Sequence, residues 1–339
     1  MAYLDGLEKY IGGLLEKNNL NCEVSVDKLV REALRKTKNY FTELCRDSKG
    51  KECFLKVTMR AEDEFKKTLF GEIASIRLLS ERNFSSFYAP KILNEGGEGN
   101  GWYIREVCQG EIIADPFVID KHYFKGINRY ANDTLLFLIE LSGINLKNQY
   151  FSKINSFSSK QGYLEAISVN AEVINRILPN FDSRAAQIFS NYDFPERENM
   201  VLSHGDCHFG NLIFGRKLGV VDWGIHWGNI AEDFAKVWTS LWQFPEIQAR
   251  LYDHFRGSLS EIHKKSFKSC FLPMVIYQGA NKLKRLILAS ENAKLDRYPA
   301  GVAKDGADNF IKLFSEVISG QSKDWDKYST GRIRKISPR

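Results

Sequence analysis

One stretch constrains this chain more than any other: Val201-Leu-Ser-His-Gly-Asp-Cys-His-Phe-Gly-Asn-Leu-Ile-Phe214, continued by Leu218-Gly-Val-Val-Asp-Trp-Gly224. A short apolar strand leads into a polar loop that holds His204, Asp206 and Asn211. The chain then enters a second apolar strand, turns through Gly215-Arg-Lys-Leu-Gly219 and returns as Val220-Val221 to end on Asp222. Such a hairpin predicts that Asp222 comes back beside Asn211 and the loop, so that two carboxylates and an amide share one small volume. Hard cations such as Mg²⁺ take oxygen ligands of this sort, often only one or two from protein, with phosphates and waters supplying the others. A polar group outside the metal shell can orient and deprotonate an attacking hydroxyl.

The hydrophobic period divides the rest of the chain. Residues 5–17 have helical spacing, whereas 22–26, 40–45 and 52–57 alternate or run apolar in short stretches, as strands do. The polar turn Arg46-Asp-Ser-Lys-Gly-Lys51 predicts a hairpin between the last two. A helix is expected over 62–81, then two strands, 91–94 and 102–107, on either side of a glycine-rich loop. From Pro116 to about Asn191, and again from Ile230 to Ile318, the patterns are helical. The change of class at Gln109-Gly110 predicts a boundary, with an N-terminal lobe over 1–109, a helical lobe over 110–320 and a basic, flexible tail over 321–339.

His204-Gly-Asp206 with Asn211, an apolar strand and Asp222 resembles the catalytic loop and metal segment of the aminoglycoside phosphotransferase and choline kinase family. These are relatives of the protein kinases, whose HRD and DFG elements carry the corresponding groups. The resemblance implies an α+β, protein-kinase-like two-lobed fold: a small N-terminal lobe with an antiparallel sheet and one main helix, and a larger, mostly helical C-terminal lobe. It implies ATP and Mg²⁺ as cofactors and transfer of the γ-phosphoryl group to a hydroxyl of a small molecule such as an amino alcohol, a sugar or an aminoglycoside. By the same resemblance Asp206 is the base, His204 buttresses the loop, and Asn211 and Asp222 bind the metal. Asp233, in Gly228-Asn-Ile-Ala-Glu-Asp-Phe-Ala235, ties a helix start to the loop, with Glu232 a solvated neighbour. A kinase of this type needs a strand lysine paired with a helix glutamate, and Lys56 and Glu72 fit those places. The segment Ile104-Arg-Glu-Val-Cys-Gln-Gly110 resembles the inter-lobe linker, where backbone groups from Glu106 to Cys108 would pair with adenine. No GxGxxG covers the phosphates, and the turn at 35–39, with Lys36 or Thr37, is the expected cradle.

No motif names the acceptor. Acids for a basic antibiotic (Asp296, Asp305, Asp308, Glu232) and aromatic residues for a choline cage (Trp227, Trp238, Trp242, Tyr277, Tyr298) are both present. The formal charge of +6 is spread along the chain apart from the tail, so no nucleic-acid partner is expected. Scattered cysteines without a CxxC pair, and no long apolar run, point to a cytoplasmic protein without a membrane span. Oligomeric state is not encoded in any feature. The competing reading is a catalytically silent relative that binds nucleotide or another ligand.

Overall fold

The computed structural model describes residues 2–35, 38–60, 62–97, 100–116, 124–144 and 158–291, with 308 and 311. The basic tail, Lys36, Thr37, Asp296, Tyr298 and Asp305 lie outside the described residues. The chain forms two compact units, residues 1–110 with 215–224, and residues 111–214 with 225–339.

The first unit is built on an antiparallel sheet of five strands. Its elements are α1 (Ala2–Lys17), β1 (Leu20–Cys22), α2 (Val26–Arg35), β2 (Tyr40–Asp47), β3 (Glu52–Thr58), α3 (Asp63–Ser80), β4 (Phe87–Tyr88), β5 (Ile92–Gly96) and β6 (Trp102–Glu106). The strand order is β1-β2-β3-β6-β5, which makes β3 the central strand. Asp47 closes the β2–β3 turn by accepting from the amides of Lys49 (2.9 Å) and Lys51 (2.8 Å). Alternation sorts β3 cleanly: Cys53, Leu55 and Val57 join a core with Leu7, Ile11 and Leu14 of α1 and Val30 and Ala33 of α2. Phe54, Lys56 and Thr58 therefore belong to the other face.

Two expectations need correction. The alternation at 22–26 predicted a strand, but only Leu20–Cys22 is extended, and α2 occupies most of the connection to β2. Val26, Leu29, Val30, Ala33 and Leu34 have helical spacing, and they pack on the sheet core, which outweighs the local alternation. The expected phosphate turn at 35–39 thus begins as the end of a helix.

The second unit holds β7 (Glu111–Ile112), α4 (Ile127–Ser142), α5 (Lys160–Ile174), α6 (Phe181–Ser190), β8 (Val201–Ser203) and β9 (Leu212–Phe214), while β10 (Leu218–Val220) belongs to the first unit, parallel to β4. Next come β11 (His226–Gly228), α7 (Glu232–Ser240), α8 (Pro245–Ser258) and α9 (Glu261–Glu291). β8 and β11 pair antiparallel, Ser203 opposite His226, and so fix the two ends of the loop region against each other. Phe234 of α7, Phe255 of α8 and Phe267 and Phe271 of α9 stack at centroid distances of 4.6–5.9 Å, an aromatic core that seats α7 firmly.

Candidate active site

In the first unit, Lys56 sits on the central strand opposite Thr42 and Tyr103, and it is buried. Its Nζ donates to Glu72 Oε2 at 2.8 Å and to Asp222 Oδ1 at 3.0 Å. The Tyr103 hydroxyl donates to the other Glu72 oxygen at 2.8 Å, so both oxygens of this buried carboxylate are used. The Tyr40 ring lies 5.0 Å from the ammonium, within cation–π range. Burial alone would strip the charge from Lys56, but Glu72 and Asp222 outweigh it and raise the lysine above its ordinary value. Burial likewise opposes ionisation of Asp222, yet Lys56 holds it below the usual carboxylate range. For Glu72 burial wins, and its carboxyl is pushed up.

Asp222 has φ of +57°, a conformation uncommon for any residue other than glycine and often found at functional positions. The next residue anchors it: the buried Trp223 indole donates to Val220 O at 2.8 Å and packs near Phe87. The linker residues are less uniform than expected. The Glu106 amide already donates to Lys91 O and its carbonyl accepts from Arg105 Nη1, leaving only a second lone pair on that oxygen. The backbone of the buried Cys108 takes no hydrogen bond among the described residues, unlike that of Glu106.

In the second unit, β8 delivers His204, Gly205 and Asp206. Gly205 has φ of +84°, which a side chain would strain, and this turn aims two successive amides at one carboxylate. Asp233 accepts from His204 N at 2.6 Å and Gly205 N at 3.3 Å. Burial and the adjacent Glu232 push the Asp233 carboxyl up to about 6. His204 is fully buried; its Nδ1 accepts from Asp206 N at 3.2 Å and its ring meets Phe137 edge-on. Asn211 donates through Nδ2 to Asp206 O at 3.0 Å, which leaves its Oδ1 as the atom able to ligate a cation.

Asp206 is half exposed at its side chain. Lys236 of α7 donates to Oδ1, while Oδ2 faces Asn211 Nδ2 at 3.5 Å and His208 Nε2 at 3.6 Å. Burial would raise Asp206, but Lys236 outweighs it and keeps the carboxylate ionised. Burial and the nearby lysines lower His208, whose Nδ1 accepts from Gly210 N, so the neutral ring presents Nε2–H to Asp206. Lys236 was not singled out from the sequence, although it lies one turn after Asp233 and therefore on the same helix face.

Glu232 is not solvated. Its side chain is buried and accepts from Tyr163 OH at 2.5 Å, Ser158 Oγ at 3.0 Å and the His226 ring at 3.2 Å. Burial opposes its charge, yet these donors lower it below the ordinary value. Trp227 and Trp238 are likewise core, the latter donating to Gln248 O at 3.1 Å, so neither forms part of an open aromatic cage.

A family model described as phosphotransferase enzyme family, APH, matches residues 39–265, most of the chain and both clusters. The chain belongs to the phosphotransferase enzyme family. Comparison with curated proteins finds no match in sequence. Solved structures similar to this phosphotransferase include a thermostable mutant of aminoglycoside phosphotransferase APH(4)-Ia in complex with ADP and hygromycin B, at 13% identity and TM-score 0.56, covering 94% of this chain and 99% of that one. The amicoumacin kinase hAmiN, in complex with AMP-PNP and Ca²⁺, is similar at 14% identity and TM-score 0.51, covering 88% and 90%. The phosphotransferase thus has the protein-kinase-like fold, with its sheet in one unit and most helices in the other. By family it is a nucleotide-dependent kinase of small molecules. Among the described residues no helix is long and apolar enough to cross a membrane.

Proposed function

We propose that this phosphotransferase moves the γ-phosphoryl group of ATP to a hydroxyl of a small molecule, with Asp206 as base and Asn211 and Asp222 as the protein ligands of Mg²⁺. The observation that carries the reading is Lys56: a buried lysine on a central strand, held at 2.8 and 3.0 Å by Glu72 and Asp222. A structural lysine does not need two carboxylates. A lysine that reaches nucleotide phosphates does need a fixed position and a guaranteed charge.

The donor set suits the metal. Asp222 offers its second carboxylate oxygen from a side chain that is 44% exposed, and Asn211 offers Oδ1. Both are hard oxygen donors, and among the described residues no group of three or more His, Cys, Asp or Glu forms a protein-only metal cage. Magnesium, when bound, would neutralise charge on the nucleotide phosphates. Lys56 positions the nucleotide, with Glu72 and Tyr103 holding the lysine. At the base, Lys236 occupies Oδ1 of Asp206, so Oδ2 is the atom that accepts the acceptor proton. A carboxylate held below its ordinary value is a modest base, so its main contribution is to orient the hydroxyl in line. That suffices for a loose phosphoryl transition state, which asks little of the nucleophile.

The test is Mg²⁺-dependent ATP turnover across amino alcohols, sugars and aminoglycosides, with Asp206→Ala as control. Turnover with one class, lost in the variant while nucleotide still binds, supports the reading. Nucleotide binding without turnover by any acceptor favours the silent relative instead.

A further inference from the structure

Three free thiols form one row across the sheet of the first unit. Cys22 on β1 stands directly opposite Cys45 on β2, and Cys45 directly opposite Cys53 on β3. Residues opposite one another in an antiparallel ladder share a face, so all three belong to the side packed by α1 and α2. Cys45 and Cys53 are buried there, whereas Cys22, on the edge strand, is partly open to solvent.

Cys45 does not treat its two neighbours alike. Its sulfur lies 3.2 Å from Cys22 Sγ in a thiol–thiol contact, and among the described residues no hydrogen bond joins it to Cys53. The backbone suits a covalent link as well. Directly opposite residues on antiparallel strands have Cα atoms about 4.5–5.5 Å apart, within the separation of about 4.4–6.8 Å that a disulfide spans. Chemistry then divides the pair. The hydrogen bond from Cys45 lowers the Cys22 thiol, outweighing burial and Glu43, while that bond and burial raise Cys45. The thiolate is the reactive form, so the more accessible sulfur is also the more readily ionised one.

We propose that Cys22 and Cys45 are a modification site for hydroperoxides, closing to a disulfide that pins β1 to β2. The Cys22 thiolate attacks one peroxide oxygen: an S–O bond forms, the O–O bond breaks, and the other oxygen leaves as water or an alcohol after taking a proton. The Cys45 sulfur then attacks the sulfenic sulfur of Cys22. The S–S bond forms, the S–O bond breaks, and hydroxide leaves as water with the Cys45 proton. Two thiols lose two electrons in all, and the peroxide gains them. Oxidation of Cys22 removes the charge that held the Cys45 proton, which frees Cys45 for the second step. The effect is local. β1 has three residues and pairs only with β2, and a short edge element of this kind opens before the core does. Lys56 lies on the face of β3 away from Cys53, so the bond forms on the other side of the sheet from that lysine.

The full chain treated with hydrogen peroxide in native buffer, capped with N-ethylmaleimide and mapped by proteolysis without reductant, tests this. Peptides joined through Cys22 and Cys45 should be the main product, with the mass of the uncapped chain lower by about 2 Da and restored by dithiothreitol. Amide exchange over Leu20–Cys22 should slow by about tenfold or more, and Tm should rise by about 5 °C. Cys22→Ser, at a partly exposed site, should keep the Tm of the reduced protein and lose the joined peptides, whereas Cys53→Ala should retain them. Linkage of Cys45 to Cys53, accumulation of Cys22 as sulfinic acid, or no joined peptides at peroxide concentrations that oxidise free cysteine overturns the proposal. So does a joined pair whose β1 amides exchange as fast as before, or equal slowing in the Cys22→Ser protein.

Discussion

Asp206 and Lys56 illustrate two ways a protein holds a charged side chain. Asp206 keeps one oxygen on Lys236 and leaves the other toward His208 and Asn211, so under the proposed reading its removal deletes the base while Lys56 keeps Glu72 and Asp222. Asp206→Ala should cut turnover by about two to four orders of magnitude with ATP affinity nearly unchanged, as read by steady-state kinetics and nucleotide titration. Lys56 is different, because its loss strands Glu72 in a buried position. Lys56→Met should cost about 3–5 kcal/mol in urea unfolding, and adding Glu72→Leu should recover part of that. If the double variant were less stable than the single one, stranded charge would not be the reason. Lys56 and Glu72 were legible because a lysine with apolar neighbours on a short strand, followed by a helix glutamate, is an unusual pattern. Lys236 and the burial of Glu232 were not. Both depend on which face of α7 is covered, and that is set by Phe255, Phe267 and Phe271, far along the chain.

At the scale of elements, the Glu232 network ties four segments together: α7, β11 through His226, α5 through Tyr163, and the residues before α5 through Ser158, whose amide also donates to Trp227 O. Tyr163→Phe removes a donor from a buried carboxylate and should cost about 1–3 kcal/mol, measured by chemical denaturation. Gly228 sits where a Cβ would come within 2.5 Å of Glu232 Oε2 and 3.0 Å of Ser203 Cβ. Gly228→Ala should therefore destabilise by about 1–3 kcal/mol through overpacking, and should slow turnover by shifting the strand that precedes the loop. The β2–β3 hairpin, α3 and the strands on either side of the polar loop could be read from period and turn chemistry alone. Helix α2 could not, because five residues of local alternation hid a helical stripe whose partners are α1 and β2.

Across the whole molecule, pH reports on these buried acids with opposite signs. Glu232 is lowered from its ordinary value of 4.5, so its contribution is present above that pH and is lost as pH falls through the lower folded value. Asp233, raised to about 6 from 3.8, behaves in reverse: its contribution is present below 3.8 and is lost as pH rises toward about 6. Stability should fall on acidification below pH 4.5, and Glu232→Gln should flatten that limb in a pH series of Tm. The sequence showed the change of class near Gly110, but not the return of residues 215–224 to the first unit, since strand pairing between β4 and β10 is non-local.

That return has a practical consequence for anyone dissecting the gene. A fragment stopping at Gly110 ends with the first stretch of that unit, yet it lacks Asp222, Trp223 and the strand that lies beside β4. Such a piece carries Lys56 with one of its two counter-ions missing, so splitting this chain at its apparent seam should yield insoluble halves, whereas grafting residues 215–224 onto the fragment through a short linker should rescue it.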